Sequence, residues 1–76
     1  MKDLLEEIVK ALVDHPEDVK VQAVEGEQAV VYEVKVSSDD IGKVIGKQGR
    51  TANALRTLVR AAASKTGKNA MVNILS

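Results

Sequence analysis

Leu4, Leu5, Ile8, Val9, Leu12 and Val13 recur at helical spacing near the start of the chain, with Lys2, Asp3, Glu6, Glu7 and Lys10 opposite them. This period predicts an amphipathic helix over roughly residues 2–13. Asp14-His15-Pro16 ends it, because a proline disfavours helical geometry in the residue before it. Residues 19–24 alternate, with Val19, Val21 and Ala23 on one side, as a half-buried strand does. Glu25-Gly26-Glu27 reads as a turn in which Gly26 is free to take a positive φ. Residues 28–36 alternate again, with Val30, Tyr32, Val34 and Val36 on one face and Glu33 and Lys35 on the other. A short turn between adjacent strands predicts an antiparallel hairpin.

Ser37 and Asp40 have capping-box spacing, with Asp in place of the usual Glu, and predict a short helix over roughly 39–45. A Gly-x-x-Gly turn interrupts it. A longer helix, roughly 50–66, is rich in alanine and leucine and stops at Gly67. In it Leu55, Leu58, Val59 and Ala62 are the residues expected to pack inward, leaving Ala54, Ala61 and Ala63. Residues 69–75 alternate, with Ala70, Val72 and Ile74 together, and predict a third strand. The order α-β-β-α-α-β, with one apolar face per element, predicts an α+β fold with three helices on one face of a three-stranded sheet. A helical crossover between the second and third strands favours parallel pairing, so the sheet should be mixed.

Composition narrows this picture. Seventy-six residues suit a single domain over 1–76 with a thin core. Tyr32 is the one aromatic residue, so that core is aliphatic. The absence of cysteine excludes disulfides and thiolate metal sites and fits a reducing compartment. No stretch reads as a membrane span or signal segment, which points to the cytoplasm. Net charge is zero but unevenly placed. Residues 1–38 hold four lysines against nine acids, whereas residues 39–76 hold seven cations against Asp39 and Asp40 alone. Such asymmetry suggests nucleic-acid contact by the basic half.

That half contains Val44-Ile45-Gly46-Lys47-Gln48-Gly49-Arg50-Thr51. Two glycines three apart let the backbone turn sharply and approach a ligand closely. Lys47 and Gln48 between them are cationic and polar. Arg50 and Thr51 open the next helix, whose free N–H groups and positive dipole end suit a phosphate. Ile41, Val44 and Ile45 offer an apolar floor for bases, although successive helix positions lie about 100° apart, so at least one of them belongs to the core. Lys43, Arg56 and Arg60 would widen the positive rim. Gly42, inside the short helix, suggests close approach of a ligand or of the neighbouring helix.

In this element order the chain resembles a type II KH domain, and more narrowly the small stand-alone KH proteins of bacteria, the KhpA family. The resemblance covers essentially the whole chain and centres on residues 45–51. It implies non-catalytic binding of about four nucleotides of single-stranded RNA. The clamp would be Gly46, Lys47, Gln48 and Gly49, with Ile41, Val44 and Ile45 before it and Arg50 and Thr51 after it. It also implies a homodimer, or a heterodimer with a larger KH-containing partner of the Jag type. Through that pairing it implies RNA chaperoning and control of cell elongation and wall synthesis. The rival expectation is an interaction module of the same fold, in which RNA binding is secondary.

Other chemistries fit poorly. A P-loop needs four residues between its glycines and Ser or Thr after the lysine. Three residues separate Gly42 from Gly46, and Gln48 follows Lys47. The dinucleotide fingerprint fails at Val44, where it needs glycine. His15 lacks a cysteine cluster or paired carboxylate and reads as structural. Asp39 and Asp40 read as helix-start charges. No nucleophile–base set, metal site or cofactor site is expected.

Overall fold

A computed structural model describes residues 1–76. Helix α1 spans Lys2–Leu12, strands β1 and β2 span Lys20–Glu25 and Ala29–Lys35, and helix α2 spans Ile41–Ile45. Helix α3 spans Arg50–Ser64 and strand β3 spans Asn69–Leu75. Short 3₁₀ turns over Pro16–Asp18 and Ser38–Asp40 and a tight turn over Lys47–Gly49 join them. β1 pairs antiparallel with β2, and β3 pairs parallel with β2 on its other side, so the sheet is mixed with β2 central. The fold is the expected α+β arrangement of three helices with a three-stranded mixed sheet.

One aliphatic cluster joins the two layers. Leu5 and Val9 from α1, Val44 from α2, and Leu55 and Val59 from α3 pack with strand residues such as Val34 and Val72. Tyr32 is half-buried against this cluster. The strand alternation holds in β2 and β3, where Val30, Val34, Ala70 and Val72 are buried. In β1 only Val21 is buried, and Ala23 lies exposed. The row Val24–Val31–Met71 crosses the opposite face of the sheet in register, with Val24 and Met71 exposed.

Two local expectations need correction. Gly26 is not among the residues with positive φ. Its N–H instead donates to the Ala29 carbonyl at 2.7 Å, which shifts the turn onto Glu27 and Gln28. Leu58 does not pack inward and is 41% exposed, while Ala63 packs against the core in its place. The core-facing centre of α3 runs through Ala52, Leu55 and Val59, and Leu58 lies about 100° round the helix from Val59.

Gly67 ends α3 as expected. With φ 76° it lets its own N–H reach Ser64 and the Lys68 N–H reach Ala63, the paired bonds of a Schellman stop. β3 then starts two residues later, and α2, the turn and α3 together form the crossover that carries the chain from β2 to β3.

Candidate nucleic-acid interface

The site begins with the residue that anchors α2. Asp40 is fully buried, and its carboxylate accepts hydrogen bonds from the backbone N–H groups of Asp14 (3.2 Å) and His15 (2.9 Å). These donors lie just past the end of α1, where the chain has turned extended at Val13 and left helical geometry. Burial alone pushes the Asp40 carboxyl up, but those two bonds and the charges of His15 and Lys43 outweigh it and hold it below its ordinary value of 3.8. The expected reciprocal capping box is therefore not formed. Ser37 Oγ accepts from the Asp39 N–H at 3.4 Å, while Asp40 accepts from the segment that follows α1.

Lys43 closes the same cluster. Its ammonium bonds the Asp14 carboxylate and lies 3.7 Å from Asp40. The hydrogen bond to Asp14 is the main cause of its raised pKa, which keeps it charged. Sequence reasoning placed Lys43 on a positive rim, but its charge is already engaged by two carboxylates. His15 is half-buried, with Nε2 4.0 Å from Asp39.

The turn hangs from the far end of α2. Gly46 accepts the last helical role, its N–H donating to Gly42 at 2.9 Å, and the Gly49 N–H closes the turn onto the Gly46 carbonyl at 3.2 Å. Gly46 has φ 78° and ψ 172°, a region that only glycine occupies readily. A Cβ there would collide with the Thr51 side chain and come 2.9 Å from its backbone nitrogen. Thr51 is thus packed beneath the turn. Gln48 is left-handed at φ 58°, as is Gly49 at φ 74°. Three of the four positions from 46 to 49 therefore have positive φ, which bends the chain tightly and presents Lys47 and Gln48 outward, both exposed. Arg50 is exposed, with Nη2 3.3 Å from Gln48 Oε1.

Of the apolar trio, Val44 is fully buried in the core and cannot meet a ligand, whereas Ile41 and Ile45 are half-buried. The 100° step between neighbours decides this division. Gly42 is exposed, and a Cβ built on it would meet no atom within 4 Å apart from its chain neighbours and its own helix backbone, so it does not serve packing against another element. Gly49 caps α3, and no side chain bonds the first amides of that helix. Lys47 and Arg50 have no carboxylate partner. The arrangement places exposed cations and the start of a helix beside an apolar strip, which suits an anionic polymer with flat apolar bases. No group of His, Cys, Asp and Glu could hold a metal ion. No helix is long and apolar enough to cross a membrane.

Residues 2–74 match the family model for the KhpA/KhpB KH domain. The RNA-binding protein KhpA of Clostridium perfringens is 57% identical over 75 residues, covering 99% of this chain and 100% of that one. The protein of that name from Listeria monocytogenes is 49% identical over 75 residues, 99% of each chain. The one from Borreliella burgdorferi is 47% identical over 73 residues, 96% of this chain and 89% of that one. No solved structure matches the chain.

Two outcomes follow from this geometry. The glycines are unequal: Gly46→Ala meets both a forbidden backbone region and Thr51, whereas Gly49→Ala meets the left-handed region with only an ordinary 3.9 Å contact to Asn53. Urea denaturation should show a loss of roughly 1–2 kcal/mol for Gly49→Ala and a clearly larger loss for Gly46→Ala. Equal losses would place the strain elsewhere. Asp40 gives a pH signature. Its folded pKa is depressed, so its contribution is complete above 3.8 and disappears as the pH falls from there through the folded value. The urea midpoint of the wild type should fall across that window, and Asp40→Asn should start lower at neutral pH and fall less.

Proposed function

This chain belongs to the KhpA/KhpB KH-domain family, and from that premise we propose that it is a non-catalytic protein that holds single-stranded RNA in the turn between α2 and α3. The observation that carries the reading is the turn itself. Positive φ at Gly46, Gln48 and Gly49 pushes Lys47 and Gln48 outward, in front of a helix whose first amides no side chain caps.

The mechanism has two parts. Backbone N–H groups of the turn, the Lys47 ammonium and the Arg50 guanidinium meet phosphates, which supplies affinity without sequence information. Bases rest on Ile41 and Ile45, with their edges against nearby polar groups. The bound length is about four nucleotides, as in KH domains generally. Tyr32 lies against the core, so no aromatic ring stacks on the bases. That removes a contribution of about 1–3 kcal/mol per base found in other single-strand binders. Binding by one copy is accordingly weak and tolerant of sequence. A protein of this kind acts on RNA after transcription, as a chaperone or regulator of the strands that it holds.

A second reading concerns assembly, and Leu58 supports it. Leu58 is 41% exposed, with the exposed Ala54 and Ala61 on the same side of α3. Small residues beside an exposed leucine suit close packing against a second copy or a larger KH-containing partner of the Jag type. Two copies would present two grooves and raise affinity by avidity.

The first test is fluorescence anisotropy of a labelled mixed-sequence RNA. Wild type should bind saturably and more weakly at higher salt, and Lys47→Asp/Gln48→Asp should lose binding while keeping its circular dichroism spectrum. Aspartate also tolerates the left-handed conformation at position 48. Undiminished binding by the variant would remove the clamp. The second test is sedimentation at tens of micromolar. The wild type should run as a dimer and Ala61→Glu as a monomer; a dimer that survives the change uses another surface.

A further inference from the structure

No aspartate or glutamate occurs from Ile41 to Ser76, although this stretch holds seven lysines and arginines. Lys43 is neutralised by Asp14 and Asp40, and Lys68 lies 3.8 Å from Glu25. Lys47, Arg50, Arg56, Arg60 and Lys65 make no ion pair. Uncompensated charge on a low-dielectric surface projects a positive potential toward any polyanion nearby.

Two of these cations follow one line. Asn53, Arg56, Arg60 and Ser64 are spaced by three, four and four residues, which places them along a single flank of α3. The line starts at the turn: a Cβ on Gly49 would lie 3.9 Å from Asn53 Nδ2. Asn53 Oδ1 in turn accepts from Arg56 Nη1 at 3.3 Å, which orients the guanidinium along the flank. The line ends in a recess of about 360 Å³ lined by Arg60, Ser64, Lys68, Asn69 and Ala70. Its lining carries two cations, an amide and a hydroxyl, and no acid. The Gly67 stop builds this recess, because it turns the chain so that Lys68 and Asn69 stand beside the last turn of α3.

We infer that this flank and recess form a second phosphate-binding track for single-stranded RNA, continuing from the turn to the opposite end of α3. The fifteen residues of α3 span about 22 Å at 1.5 Å per residue. A strand must run the length of the helix to fill the recess, so the track acts on RNAs longer than the segment the turn holds. Arg56 and Arg60 meet phosphates along the flank. Lys68 exchanges an exposed carboxylate, Glu25, for a phosphate at the end. Contacts of this kind add affinity and length dependence but no base preference. The inference rests on the reading of the turn as an RNA clamp, which the test separates from it.

The experiment compares a four-nucleotide and a twelve-nucleotide RNA by anisotropy, the shorter as competitor against the labelled longer strand, at several salt concentrations. The proteins are the wild type, Arg60→Gln/Lys68→Gln, the charge-matched Lys2→Gln/Lys20→Gln, and Lys47→Asp/Gln48→Asp. Arg60→Gln/Lys68→Gln should weaken the twelve-nucleotide RNA by roughly tenfold and leave the four-nucleotide RNA unchanged. Its salt slope on the longer strand should fall by about 1.4, from about 0.7 per lost phosphate contact. The charge-matched pair should change neither. An unchanged slope and affinity in Arg60→Gln/Lys68→Gln, equal weakening of both RNA lengths, or an equal effect of the charge-matched pair would overturn the track. Failure of the clamp reads out separately, as retained binding of the four-nucleotide RNA by Lys47→Asp/Gln48→Asp.

Discussion

The two hydrogen bonds that the Asp14 and His15 amides donate to the Asp40 carboxylate are the constraint on which the working end of this molecule depends. A helix of five residues has too few internal bonds to hold its own direction. α2 is held at its base by Asp40, in the middle by the fully buried Val44, and nowhere else so firmly. The turn at its far end inherits that direction. Asp40 thus ties the position of the exposed turn to the end of α1, a segment more than twenty residues away in the chain. The arrangement also explains why a carboxylate is tolerated at full burial. Two backbone donors and a neighbouring ammonium supply the interactions that water would otherwise provide.

Much of the architecture was legible because hydrophobic period and burial agree. The six elements, the hairpin and the parallel crossover all follow from alternation, helical spacing and connection length. The misreadings have physical reasons. Asp40 sits three residues after Ser37, and local spacing cannot say that its partner lies beyond a distant helix end. Lys43 looked free for the same reason, since Asp14 is close only in the fold. Leu58 was assigned inward because its type favours burial, yet its angular position on α3 places it outside. Gly26 is free to take a positive φ, but the hairpin does not use that freedom, because the turn falls on Glu27 and Gln28. The turn site was more legible than its supports, because the two glycines and the cations between them are contiguous. Why Gly46 must be glycine shows only in the fold, where Thr51 packs beneath it.

The turn and the core divide the chain's chemistry cleanly. Acids gather before residue 41, where they serve the first helix, its end and the hairpin. Cations in the second half are left largely unopposed, and the surface around α3 is therefore positive while the whole chain is neutral. A net charge near zero says little about association here. The relevant quantity is the local field, which falls off within about 10 Å at ordinary ionic strength. RNA held against α3 would sit inside that distance, and the acidic helix α1 would act only weakly on it.

The placement of the turn on the crossover between parallel strands has a consequence for how the molecule comes into being. β2 and β3 pair directly, Ala29 opposite Asn69 and Lys35 opposite Leu75, so forty residues separate partners in the chain. Closing a loop of that size is among the slower and entropically costlier steps available to so small a domain. α2, the turn and α3 all lie inside this loop, and their shared core is completed by Ala70 and Val72 of the last strand. During synthesis the residues of the turn emerge well before that strand does. The surface built around them is therefore assembled late, after β3 has left the ribosome and docked.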